Sequence, residues 1–425
     1  MRLHLRTLIA GAALLAASLA QAAASPEQLQ ALARQEQPAL LETLRALVEI
    51  ESGSKDLEGL ASVAGVIAGK LKALGGEVSM IEPTEVYRMD DTPQRLGQMV
   101  KAEFKGRGSK KLLLIAHMDT VYLKGMLKDQ PFRIDGGRAY GLAVADDKQG
   151  VATILHAVAL LQKAGIDDYG TLTVLINGDE EISSPGSRAT ITRTAAEQDL
   201  TLSFEAAGAQ GGVRLATSGI GAAYLTVEGR SSHAGSRPEG GINALTELAH
   251  QVLQLQDLSE PATGLKLNWT MAQAGTNRNV IPAQATAQAD ARALRVADFE
   301  RLAQELQRRI QKQRLPGAKV QVKFEMRRPP LEATAASRAM ARRAQGIYAE
   351  IGLPMQVAEV ATGGGTDAAF AALQARGPVM EGLGLTGFGA HSNDAEYVDL
   401  SSIAPRLYLV ARLVMEVCGS DVAPR

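Results

Sequence analysis

The chain has 425 residues, with 45 Lys and Arg against 46 Asp and Glu, 46% hydrophobic residues and a single cysteine. That length exceeds what one hydrophobic core usually serves, so two domains are expected, and the near-balanced charge offers no footing for nucleic acid or an anionic lipid surface. Cys418 by itself excludes an internal disulfide framework or a cysteine-rich metal site and reads as a small buried residue near the C-terminus.

Residues 1–22 read as a targeting segment. Arg2 and Arg6 make a basic start, residues 8–20 an apolar run too short to span a bilayer, and Ala20-Gln21-Ala22 an A-x-A cleavage signature. Cleavage is expected after Ala22, leaving an exported protein, periplasmic or secreted, with no membrane anchor, since no later run reaches ~18 apolar residues. A polar helix follows at about residues 26–50. Three apolar strands then end in ionisable residues: 111–116 runs into His117-Met118-Asp119, 171–176 into the pair Glu180-Glu181, and "LTLSFEA" ends at Glu205. Between the first two, Asp146 precedes "DKQGVATILHAVALLQKAG", whose apolar residues recur three and four apart as on a helix. His156 on that helix, and His250 on "INALTELAHQVLQLQ", read as core or interface histidines.

The next stretch reads strand, helix, strand, strand, helix, strand at about 220–229, 241–257, 265–274, 285–292, 296–313 and 318–326, the order of a ferredoxin-like split βαβ unit. "PLEATAASRAMARRAQGIYAEIG" and the His391 region then return to complete the first sheet. The expected architecture is α/β. A catalytic domain of residues 23–217 and 330–425, a mixed sheet flanked by helices, is interrupted by an α+β domain of residues 218–329.

His117, Asp119, Asp146, Glu180, Glu181, Glu205 and His391 offer the imidazole nitrogens and carboxylate oxygens that zinc accepts, and strand ends of an open α/β sheet converge in the crevice where such sheets bind ligands. A carboxylate can bridge two cations ~3.5–4 Å apart, and a hydrolytic site keeps a position open for water. The set points to metal-assisted hydrolysis.

The stretches "LLLIAHMDTVYLKG", "AYGLAVADDKQG", "TLTVLINGDEE", "TSGIGAAYLTVEGRSSHAG", "NWTMAQAGTNRNVIPAQATAQADAR", "TGGGTDAAFAAL" and "LGLTGFGAHSNDAEYVD" resemble the co-catalytic zinc aminoacylase and carboxypeptidase metallopeptidases, most closely the glutamate carboxypeptidase (carboxypeptidase G) branch. The resemblance spans almost the whole chain after the targeting segment. It implies two Zn2+, or other divalent transition metals, with Asp146 between them, His117 and Glu205 on one, and Glu181 and His391 on the other. Asp119 is placed to accept the second N–H of His117, and Glu180, left outside the ligand set, to act as general base. Arg328 matches the family arginine that holds a terminal carboxylate, and Gly365, in the run Gly363-Gly364-Gly365, can offer backbone N–H to the same anion. Asn279 and Arg292 match positions near substrate. His233 matches a histidine that reaches the partner subunit's site to stabilise an oxyanion, so a homodimer formed through the inserted domain is implied.

The chain also departs from the family pattern. The usual G-x-G reads Gly141-Leu142-Ala143, Gln149 stands for a glycine, and Ala206 for a common proline. The lysine of the carboxypeptidase G type is missing between Glu205 and Thr217, where Arg214 is the only cation. The expected activity is hydrolysis of the amide to a C-terminal glutamate in N-acyl or N-aroyl substrates. An aminoacylase or dipeptidase of different side-chain preference is the alternative, and a non-enzymatic binding protein would be expected to have lost a ligand or Glu180.

Overall fold

A computed structural model describes residues 24–361, 363–392 and 395–419. The expected targeting segment and its Ala20-Gln21-Ala22 signature lie outside them. Among the described residues, no helix is long and apolar enough to cross a membrane.

The larger sheet has six strands in the order Glu77–Ile81, Met99–Lys105, Thr171–Asn177, Lys111–His117, Leu200–Ser203, Val379–Met380. The last four are mutually parallel, and the first two add antiparallel to one side. The apolar run "KLLLIA" is explained by burial on both faces. Leu112, Leu114 and Ala116 join a core beneath the helices Pro26–Val48, Gln149–Lys163 and Ile403–Gly419, while Leu113 and Ile115 face a second core under Arg188–Ala196 and Ala368–Ala372. Ser25 starts the first helix with a capping box that Gln28 completes, and Leu29, Ala33, Leu40, Leu44 and Leu47 supply its buried stripe. His156 sits where that helix meets Gln149–Lys163, with Nδ1 2.6 Å from Glu36 and Nε2 2.8 Å from Thr43, so it is an interface residue.

The smaller sheet is antiparallel, in the order Lys266–Ala274, Gln284–Ala293, Gly219–Glu228, Lys319–Arg328. Alternation separates its faces: Ala223, Leu225 and Val227 pack with Ala285, Ala287, Ala289 and Ala291 beneath helices Ala244–Leu255 and Val296–Arg309. The first of these helices begins three residues later than the sequence suggests, because Asn243 accepts the N–H groups of Leu245 and Thr246 and so caps it. The second ends earlier than expected, at Arg309.

A third sheet is unforeseen by sequence. It joins Gly387–Phe388, Tyr397–Asp399, Arg138–Tyr140 and Arg133–Asp135. It lays the segment leading to Asp146 beside the segment that carries His391.

Candidate metal centre

The carboxyl ends of the parallel strands bring the predicted ligands together. His117 closes its strand, Glu181 lies in the short turn Glu180–Ile182 after Thr171–Asn177, and Glu205 follows Leu200–Ser203. Asp146 turns one carboxylate oxygen to each imidazole, with Oδ1 3.0 Å from His117 Nε2 and Oδ2 3.1 Å from His391 Nε2. Glu205 lies 3.4 Å from His117 Nε2, and Glu181 3.2 Å from His391 Nε2. Two half-sites therefore share one carboxylate.

His117 Nδ1 lies 3.1 Å from the main-chain carbonyl of Asp119 and 3.3 Å from its carboxylate. A proton on Nδ1 leaves the Nε2 lone pair facing Asp146 and Glu205. The Asp119 carboxylate has further partners: it accepts the Ser54 hydroxyl at 2.7 Å and the backbone N–H groups of Glu180 and Glu181 at 3.0 and 3.1 Å. Asp119 thus ties the His117 strand to the turn carrying both glutamates.

The electrostatics of this cluster demand positive charge. Burial lowers the affinity of His117 for a proton, but the charge of Glu205 and hydrogen bonds to Asp119, Asp146 and Glu205 outweigh it and raise its pKa well above the usual range. His391, bonded to Asp146 and Glu181, is pushed up to about 11. Glu181 Oε1 and Asp147 Oδ2 are buried without a hydrogen-bond partner. His117, Asp146 and Glu181 form one group whose ligand atoms lie within 4.8 Å of one another, and His117, Asp147 and Glu205 form another. This donor set fits divalent cations, which would supply the charge that the imidazoles otherwise take up as protons.

His391 has φ 63°, a left-handed conformation that a non-glycine residue adopts at a cost of ~1–2 kcal/mol. Its neighbour Ser392 sits with its carbonyl 3.1 Å from the Tyr122 hydroxyl, whose single proton is directed chiefly at the Glu396 carboxylate. Glu396 in turn accepts the N–H groups of Ala143, Ala145 and Asp146 at 3.2, 2.8 and 3.0 Å. One buried carboxylate therefore fixes both the Asp146 turn and the His391 loop.

Glu180, like Asp119, is a buried carboxylate beside the cluster that takes no part in either group of ligand atoms. Burial pushes its pKa well above the usual carboxylate range against the opposing charge of Arg328. The resemblance implies that the Arg328 fork holds a terminal carboxylate, and Arg328 does line the cavity over the cluster. In the structure Arg328 is 2% exposed, with Nη1 2.5 Å from Glu180 Oε1 and 3.0 Å from Asp367, and Nη2 donates to the Glu180 carbonyl at 2.7 Å. A guanidinium this deep needs paired charge, and the two carboxylates provide it.

A cavity of about 910 Å3 opens over the cluster, lined by Asp146, Glu180, Glu181, Glu205 and His391 and also by Arg214, Arg292, Arg328 and Gly365. Arg292 is held by Asp290 at 3.0 Å and donates to the Gly363 carbonyl at 3.2 Å. Gly365 leaves no room for a Cβ, which would fall 2.7 Å from the Ser218 carbonyl. Arg214 donates to the Ala206 carbonyl at 3.0 Å and lies 3.7 Å from the fully buried Glu381. Asn279 and His233 are not brought to this cavity. They stand together on the smaller domain, the Ala234 N–H donating to the Asn279 carbonyl at 2.9 Å. His233 Nδ1 accepts the N–H groups of Gly235 and Ser236 at 3.1 and 3.2 Å, which puts the proton of the neutral ring on Nε2.

The sequence departures are accommodated. Ala143 has φ 56°, which explains why glycine is usual there. Gln149 donates to Asp147 at 2.7 Å and to the Phe204 carbonyl at 3.1 Å, bracing a carboxylate and the residue before Glu205. Sequence reasoning missed Asp147, Asp367, Glu381 and Glu396. Of these only Glu381 carries a visible signal, since it ends a short apolar run, "PVME", as Glu205 ends "LTLSFE".

Residues 113–416 match the model of Peptidase family M20/M25/M40, and the chain belongs to that family. It is 45% identical over 386 residues to Carboxypeptidase G2 of Pseudomonas sp. (strain RS-16), covering 91% of each chain. It is thus a metallocarboxypeptidase of the carboxypeptidase G type. The fold is shared with a Staphylococcus aureus tripeptidase (TM-score 0.75, 19% identity, 90% of this chain and 99% of that one). It is shared also with a Bacillus subtilis protein described as a dinuclear metal binding peptidase of family M20 (TM-score 0.66, 17% identity, 91% and 99%).

Proposed function

We propose that this protein is an exported di-zinc enzyme that removes a C-terminal glutamate from N-acyl or N-aroyl amides. The observation that carries the reading is the placement of Asp146 between His117 and His391 under a cavity lined by arginines. His117 and Glu205 would hold one zinc, Glu181 and His391 the other, with Asp146 bridging; bound there, the ions supply Lewis acidity and a water of lowered pKa. Glu180 takes a proton from the attacking water and returns it to the leaving amine. Arg328 orients Glu180, while Arg292 and Arg214, 29% and 30% exposed in their side chains, are the cations available to the two carboxylates of a glutamate leaving group. Gly365 lets that group approach the backbone closely.

The test is a substrate panel of N-acyl amino acids, dipeptides and N-aroyl glutamates, run before and after chelation. Chelation abolishes hydrolysis and zinc restores it, with glutamate released fastest; metal analysis finding no transition metal in active protein would refute the centre. Arg214→Ala lowers kcat/KM for acidic C-terminal residues by ~10-fold to 100-fold relative to neutral ones, the cost of losing a charged hydrogen bond. Faster cleavage of neutral residues by the unaltered enzyme supports the aminoacylase or dipeptidase alternative.

Residues 218–329 form the dimerisation and lid domain in this reading, and 23–217 with 330–425 the catalytic domain. His233 and Asn279 lie away from the cavity of their own chain, as residues acting in a partner's site must. Mixing inactive His233→Ala with inactive Glu180→Gln therefore restores part of the activity after subunit exchange. Light scattering that shows a fully active monomer sinks this assignment.

A further inference from the structure

A second hollow, about 550 Å3, adjoins the cavity described above, and Glu181 lines both. Its floor is formed where Gly53 pairs with Thr120, and Ser54, which bonds Asp119, also lines it. Its walls carry Val121, Leu123 and Ile182. Val121 is 41% and Leu123 74% exposed, an unusual outlay of branched side chains beside a charged centre. Lys55 and Lys124 stand at the rim, Lys124 paired with Glu58 at 3.0 Å.

We infer that this hollow receives the acyl half of the substrate, an apolar acyl or aroyl group. The inference rests on the reading of the larger cavity as the seat of the C-terminal residue. With the amide carbon at the ligand cluster, an amine half directed toward Arg292 and Arg214 leaves the acyl half to depart across Glu181. The hollow on that side is apolar where a hydrocarbon group would lie. Its size falls in the ~300–1,000 Å3 range of pockets that enclose drug-sized ligands. Two further hollows among the described residues, one of about 830 Å3 lined by Tyr87, Arg188 and Leu373 and one of about 480 Å3 lined by Arg138, Tyr140 and Asp399, contain none of the cluster residues and offer the scissile bond no route.

The experiment compares kcat/KM of the zinc-loaded enzyme for N-benzoyl and N-acetyl conjugates of whichever C-terminal amino acid the unaltered enzyme prefers. The preference itself tests the glutamate reading, and the ratio tests the hollow, so the two can fail separately. Leu123→Asp, at an exposed position that threatens no core, lowers the benzoyl-to-acetyl ratio roughly tenfold or more, the scale on which an apolar pocket discriminates. Leu373→Asp in the remote hollow leaves the ratio unchanged. Calorimetric titration of N-benzoylglutamate into Glu180→Gln and into Glu180→Gln with Leu123→Asp shows the same loss without turnover. A ratio within twofold of the unaltered enzyme in Leu123→Asp, or an equal fall in Leu373→Asp, overturns the assignment.

Discussion

Glu180→Gln retains the metals and binds substrate while kcat falls by ~10²-fold to 10⁴-fold, the usual contribution of a positioned general base. The carboxylate lies against the cluster but belongs to neither group of converging ligand atoms, so removing its charge leaves both half-sites intact. Glutamine preserves the shape and still accepts from Arg328, which reaches the side chain at 2.5 Å and the carbonyl at 2.7 Å. Metal content by elemental analysis and single-turnover kinetics separate the outcomes. Loss of a metal on this substitution would move Glu180 into the coordination sphere.

Arg328→Ala has the largest expected effect on stability. It leaves Glu180 and Asp367 buried without their cation, and breaking such a pairing typically costs ~3–5 kcal/mol. Asp367 keeps Ser184 and Asn177, the latter donating at 2.9 Å, so the loss falls chiefly on Glu180. Urea denaturation should show the destabilisation, and every substrate should suffer together, because the misplaced group is the proposed base and not a side-chain selector. A variant of unaltered stability whose KM alone rises would assign Arg328 the role of a substrate anchor.

His117, Glu181 and Glu205 are legible as candidate ligands because strands buried on both faces write apolar runs with ionisable residues at or just beyond their ends, whereas Asp146 and His391 lie on connecting segments and are marked only by the motifs around them. The same logic frames the smaller sheet, whose alternation and helix periodicity place its strands to within a residue or two. What is not legible is pairing. A motif match says that an arginine stands at residue 328 but not that Glu180 and Asp367 occupy its nitrogens, since both partners reach it from distant segments. Glu396 carries no periodic signal: its importance comes from three backbone N–H groups on a loop far away in the chain. The third sheet escapes notice because strands of two or three residues are too short to show a period.

That third sheet gives the centre a history. The Glu396 carboxylate meets the Asp146 N–H across 250 residues of chain. Asp146 Oδ2 therefore has no His391 to face until the entire smaller domain and the returning helix have been synthesised. Only when the closing segment docks beside Arg138–Tyr140 does the second imidazole arrive. A chain clipped before His391 accordingly lacks both the second imidazole and the helix Ile403–Gly419 that packs into the core beneath the larger sheet.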